Sequence, residues 1–310
     1  MGRPIPDGDP RIVSLNLLDF DDYEVPMKFL SYSLNGQEGL AVEVDGTFRG
    51  LTSDAPNFPG DLLSLIRAGS DAMAEAGAVL AKGDVVDTDA VTYLPPVSQP
   101  EKIICVGLNY RDHSAESGFE QPDYPTLFGR FNSSLIGHDA PILRPAISEE
   151  LDYEGELVAI IGKEARHVSE ADALDYVAGY SIFNDASIRD YQFKAPQWTP
   201  GKNFDDTGAF GPTFVTADAL PKGCLGLRLQ TRLNGEVVQS AMIDEMVFSV
   251  AQQIAIISEF LTLRPGDVIV TGTPSGVGLA RTPKLWMKDG DVCEVEIDQI
   301  GILSNPIKDA

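Results

Sequence analysis

The chain has 310 residues, 43% of them hydrophobic and 23% charged, which is ordinary for a globular protein with a full core. Lysine and arginine number 23 against 47 aspartates and glutamates, giving a net charge of −24. A surface of that sign repels nucleic acid and anionic membranes, so neither is expected as a partner. The three cysteines, Cys105, Cys224 and Cys293, are widely spaced and form no CxxC pair, so neither a zinc ribbon nor a disulfide scaffold is expected. Free thiols suit a reducing compartment, and the expected location is cytoplasmic.

In chain order, residues 1–26 carry six acids, two arginines and no apolar signal-peptide core, and read as an acidic extension. Residues 27–98 read as a small α+β module. Asp45-Gly46 lies between alternating segments, the signature of a hairpin. Two short helices are expected at Asp61–Ala68 and Ser70–Ala81. Pro95-Pro96 suggests a linker, and residues 99–310 form the expected catalytic domain. Extended segments are expected at Leu151–Ile161, Leu225–Leu233, Val237–Ser240, Asp267–Thr271 and Asp291–Ile297, with a hairpin at Asn234-Gly235. One long helix is expected from Asp244 to Leu261, where apolar residues recur at 3–4 spacing. The strands outnumber the helices and do not alternate with them, which argues against a doubly wound sheet or a TIM barrel.

The chemistry-bearing residues fall in a few short stretches. In Leu151-Asp-Tyr-Glu-Gly-Glu156, strand alternation puts Asp152, Glu154 and Glu156 on one face. Two adjacent carboxylates entering an apolar core repel each other unless a cation lies between them, and hard oxygen ligands suit Mg²⁺, Mn²⁺ or Ca²⁺. Asp185 ends the apolar stretch from Val177; it reads equally as a helix cap or as a third ligand. Arg189 and Gln192 follow at helical spacing. His113 and Glu116, three residues apart, would meet on a helical turn and form a base pair, or else a surface ion pair. Lys202 follows a glycine. The loop Gly272-Thr-Pro-Ser-Gly-Val-Gly278 is not a Walker loop, but can present backbone N–H groups to a carboxylate.

Taken in order from Lys102 to Pro306, these stretches resemble the fumarylacetoacetate hydrolase superfamily, in its acylpyruvate hydrolase and 2-hydroxyhepta-2,4-diene-1,7-dioate isomerase branches. The resemblance implies a mostly β fold with some α, a β-roll-like catalytic domain joined to the small N-terminal module. It implies a homodimer and a divalent metal, Mg²⁺ in the first instance, held by Glu154, Glu156 and Asp185. His113 and Glu116 would then be the base dyad, with Lys202 a third catalytic residue. Tyr153, Arg189, Gln192, Thr273 and Arg130 would serve the substrate side. Arg130-Phe131 stands where many members have Lys-Pro, and Asn203 where Ser is common. The expected activity is hydrolysis of a C–C bond in an acylpyruvate or other 2,4-dioxo acid. Oxaloacetate-type decarboxylation or double-bond isomerisation on the same metal–enolate machinery is the alternative, and a non-catalytic paralogue is a further one.

Overall fold

A computed structural model describes residues 27–112 and 123–310. Its main sheet runs in the order Asp84–Val85, Thr47–Thr52, Gln37–Val44, Lys28–Leu34, Gly208–Thr216, Val177–Asp185, Gly155–Ile161, Val268–Val270, Ile103–Gly107, Thr126–Gly129. Neighbours along this path are antiparallel except Val268–Val270 and Ile103–Gly107, which are parallel. Asp45-Gly46 and Asn234-Gly235 turn hairpins as expected, and Asn35-Gly36 turns a third. All six residues have positive φ, as the type I′ turn requires. Helices Leu62–Ala68 and Ser70–Leu80 match the expected pair, the first capped by Asp61, which accepts from the Ser64 N–H at 2.9 Å.

Position 98 marks no break in this sheet. Phe29 pairs with Phe214, so the N-terminal strands extend the same sheet that carries Gly155–Ile161. Phe29, Leu40, Ile66 and Leu80 share one buried cluster with Val158, Ile160 and Phe210.

The strand Gly155–Ile161 is buried at every position because it lies between two cores. Val158 and Ile160 face the N-terminal helices. Leu157, Ala159 and Ile161 face a second core with Leu229, Val295 and Leu303, which come from a five-stranded sheet. That sheet has the order Glu236–Met242, Arg228–Leu233, Val292–Ile297, Gly301–Asp309, Ile142–Arg144. Each fully buried aliphatic side chain on the strand contributes about 1.5–3 kcal/mol, so the strand anchors both halves. The result is the mostly β architecture expected from sequence. The three cysteines are buried and unpaired, and no helix of the described residues is long and apolar enough to cross a membrane.

The expected helix Asp244–Leu261 is shorter than its periodicity suggests. Ile243–Glu245 forms a 3₁₀ turn, and the α-helix spans Val250–Phe260. Ser249 and Gln252 close a reciprocal capping box that sets the start. Upstream, the buried Asn109 side chain accepts from the Phe248 N–H at 2.8 Å and donates to the Phe248 carbonyl at 3.0 Å and the Thr271 carbonyl at 2.7 Å. Phe248 therefore spends its backbone groups on Asn109 and cannot join a helical ladder.

Ser249→Ala removes the cap and should lower stability by about 1 kcal/mol. Urea unfolding followed by circular dichroism should show the midpoint shifting down with an unchanged slope. An unchanged midpoint would mean that packing alone fixes this helix start.

Candidate metal centre

The site begins where the pairing of Gly155–Ile161 with Val177–Asp185 ends. Gly155 lies opposite Asn184, and the Asp185 N–H donates to the Glu154 carbonyl at 2.8 Å. Antiparallel register thus brings the start of one strand, with its two glutamates, against the end of the other, with its aspartate. The extended segment is interrupted at Tyr153 and Glu154. There, side chains replace the ladder: Asn184 Oδ1 accepts from the Glu154 N–H at 3.0 Å, and Gln239 Oε1 accepts from the Gly155 N–H at 3.0 Å.

Glu154, Glu156 and Asp185 are buried, and each places a carboxylate oxygen within 4.8 Å of the others. Three buried cations surround them. Lys202 Nζ lies 2.6 Å from both Glu154 Oε2 and Asp185 Oδ2. Arg189 Nη1 lies 2.7 Å from Glu154 Oε1, and Arg130 Nη1 pairs with Asp185 Oδ1. Glu156 accepts from the Gly272 N–H. Burial, then the charges of Asp185 and Glu154, push the Glu156 pKa well above the usual carboxylate range. Burial works against the charge of Lys202, but Asp185 and Glu154 outweigh it, so its pKa stands above the ordinary lysine value.

Local sequence explains the lysine's placement. Lys202 ends the short helix Thr199–Lys202, which packs on the turn Arg189–Gln192. A Cβ on Gly201 would lie 2.5 Å from Gln192 Cα, so only glycine allows this approach. Arg189 is fixed from behind by Asp152, with its Nε donating to Oδ2 at 2.8 Å, and Gln192 Oε1 accepts from Arg189 Nη1 at 2.8 Å.

The residues read from sequence separate into three groups. Glu154, Glu156, Arg189, Gln192, Lys202 and Thr273 line one cavity with Val106, Phe128, Trp198 and Leu279. Tyr153, Arg130 and Asp185 do not line it; Asp185 is fully buried behind Lys202. Tyr153 is fully buried in the core shared with the second sheet, its hydroxyl donating to the Gly276 carbonyl at 3.0 Å. Arg130 lies behind Asp185, donating also to Thr207 Oγ1 at 2.8 Å and Ser134 Oγ at 3.2 Å. The Thr273 hydroxyl donates to the Gly155 carbonyl at 2.9 Å. His113 and Glu116 lie outside the described residues.

Asp152 is the residue whose part the sequence did not disclose. Besides Arg189, it accepts from the N–H groups of Gly278 at 2.7 Å and Leu279 at 3.0 Å. The glycine loop thus presents its N–H groups to the protein's own carboxylates, Glu156 and Asp152. The available signal was that loop together with a third acid two residues before Glu154.

Four buried carboxylates (Asp152, Glu154, Glu156, Asp185) face three buried cations (Arg130, Arg189, Lys202) at this centre, leaving one formal negative charge in excess. The donor set is all oxygen, so the residues present fit a hard divalent cation, which Glu154, Glu156 and Asp185 could hold. Such a cation would leave the centre with a net positive charge, suited to an anionic ligand.

Comparison with known proteins agrees with this geometry. A family described as fumarylacetoacetate (FAA) hydrolase C-terminal matches residues 102–308. The chain is 37% identical over 298 residues to a Xenopus laevis protein named oxaloacetate tautomerase fahd2, mitochondrial, covering 95% of this chain and 91% of that one. Among solved structures, fumarylacetoacetate hydrolase from Exiguobacterium antarcticum superposes with a TM-score of 0.81 at 37% identity, covering 92% of this chain and 100% of that one. The 2-hydroxyhepta-2,4-diene-1,7-dioate isomerase from Mycobacterium marinum superposes with a TM-score of 0.70 at 32% identity, covering 91% and 98%. Together with the shared fold, these matches place the chain in the fumarylacetoacetate hydrolase family.

Proposed function

We propose that the protein interconverts the keto and enol forms of an oxaloacetate-type 2-keto acid, with Mg²⁺ held by Glu154, Glu156 and Asp185. The observation that carries this reading is the buried ammonium of Lys202 beside a carboxylate cluster, in a chain similar over most of its length to an oxaloacetate tautomerase. Hydrolysis of an acylpyruvate, the first expectation from sequence, becomes the second reading, because the relatives named for an activity include tautomerases and isomerases.

Tautomerisation needs a base at C3, a stabilised enolate oxygen and a proton source. The bound divalent cation would supply Lewis-acid stabilisation of negative charge. Lys202, held ionised by Glu154 and Asp185, lines the cavity and would stabilise charge developing on the substrate oxygen. Arg189 and Gln192 are bonded to one another, and Asp152 prevents the guanidinium from swinging. They form a rigid wall that orients the substrate. We assign the base to His113, oriented by Glu116. The same dyad would activate water in a hydrolase, so the products decide between the two readings.

Glu154→Gln and Asp185→Asn should each weaken Mg²⁺ binding by roughly 10- to 100-fold or more, since even outer-shell changes cost that much. Calorimetry should show the loss while circular dichroism reports a folded chain. Unchanged affinity in both variants would remove these carboxylates from the ligand set.

His113→Ala should cost on the order of 10²–10⁴-fold in oxaloacetate enol–keto exchange, the usual scale for a lost base. Proton NMR of the same reaction should show the wild type forming only the tautomer. Accumulation of pyruvate would establish decarboxylation instead. Pyruvate plus a carboxylic acid from an acylpyruvate, with no effect on oxaloacetate, would establish the hydrolase.

A further inference from the structure

Gln239 lies on the strand Glu236–Met242 of the five-stranded sheet, is 2% exposed and does not line the cavity. Its amide nevertheless reaches the main sheet between two of the three clustered carboxylates. Oε1 accepts from the Gly155 N–H at 3.0 Å, and Gly155 separates Glu154 from Glu156. Nε2 donates to Thr273 Oγ1 and to the Pro274 carbonyl, both at 2.8 Å. These partners fix the orientation of the amide, because a backbone N–H requires its oxygen and a backbone carbonyl its nitrogen.

Three of these residues close a ring. Gln239 donates to the Thr273 hydroxyl, Thr273 donates to the Gly155 carbonyl at 2.9 Å, and the Gly155 N–H donates back to Gln239. All three bonds run in one sense, so each polarises the next in a buried, low-dielectric setting. Both backbone groups of Gly155 take part.

That position needs outside restraint. The backbone dihedrals of Gly155 set how the Glu154 and Glu156 side chains stand to one another, and glycine is the residue least able to fix its own dihedrals. A side chain cannot supply the restraint, since a Cβ on Gly155 would lie 2.2 Å from Thr231 Oγ1 and 2.9 Å from Val295 Cγ1, both on the five-stranded sheet. The bare glycine lets that sheet come close enough for Gln239 to hold the peptide instead.

We propose that Gln239 is a positioning residue for the metal centre: through its ring with Thr273 it fixes the Gly155 backbone, and with it the spacing of the Glu154 and Glu156 carboxylates that a divalent cation requires. The inference rests on the assignment of these carboxylates as metal ligands and is independent of which reaction follows.

The test uses Mn²⁺ alone, added to the full chain without substrate and followed by calorimetry, with circular dichroism confirming that each variant is folded. Gln239→Met keeps the bulk and removes the amide; Thr273→Val keeps the shape and removes the hydroxyl. Each should weaken Mn²⁺ binding by roughly 10-fold, the lower end of the range for changes outside the ligand shell. Thr273→Ser, which keeps the hydroxyl, should bind as the wild type does. Because one ring is broken in every case, the double variant of Gln239→Met with Thr273→Val should lose no more than the worse of the two single variants. Should Gln239→Met fail to fold, Thr273→Val set against Thr273→Ser carries the same test. Wild-type affinity in both Gln239→Met and Thr273→Val, or losses that multiply in the double variant, would overturn the proposal and leave the ligand assignment standing. A wild type that binds no Mn²⁺ would overturn the ligand assignment and the proposal with it.

Discussion

Lys202 Nζ sits 2.6 Å from one oxygen of Glu154 and 2.6 Å from one oxygen of Asp185, almost wholly removed from water. An ion removed from solvent costs several kcal/mol even after relaxation, so it persists only where opposite charges and hydrogen bonds surround it. Much of the catalytic half can be traced from that constraint. Asp185 must end its strand opposite Glu154, which fixes the register of Val177–Asp185 against Gly155–Ile161. Gly201 must be bare so that the lysine reaches inward. Arg130 must balance the far oxygen of Asp185, and it is held there by Thr207 and Ser134.

The same arrangement explains why the centre suits a divalent cation. Both oxygens of Glu154 and both of Asp185 already face a cationic partner, yet one formal negative charge remains in excess. Glu156 accepts from the Gly272 N–H, and burial together with the charges of Asp185 and Glu154 holds its pKa well above the usual carboxylate range. A divalent cation held by these carboxylates would share its ligands with Lys202 rather than stand alone. The ammonium and such a cation would act on the same small volume, which is where an enolate oxygen would need two sources of positive charge.

Much of this was legible in the sequence, because it depends on local rules. Strand alternation put Glu154 and Glu156 on one face, and the apolar run beyond them announced a strand buried on both sides. The hairpins at Asp45-Gly46 and Asn234-Gly235 were readable because positive φ at both central residues restricts the residue types. What escaped depends on partners remote in the chain. Tyr153 sits between Asp152 and Glu154 in sequence but is buried in the core shared with the second sheet. The resemblance implies Arg130 on the substrate side, yet Asp185, fifty-five positions on, holds it behind the carboxylate cluster. The periodicity from Asp244 to Leu261 favoured a continuous helix, and only Asn109, far upstream, shows why the Phe248 backbone is unavailable. Asp152 looked like a third member of an acidic face until the glycine loop and Arg189 were seen to converge on it.

Anomalous diffraction from crystals soaked in Mn²⁺ tests whether Glu154, Glu156 and Asp185 hold one divalent cation beside Lys202. One strong peak is expected within ligand distance of all three carboxylates, with the Lys202 ammonium still in contact with the cluster. A Mn²⁺ peak elsewhere in the cavity with these three carboxylates unliganded, or no peak at a saturating concentration, would contradict it.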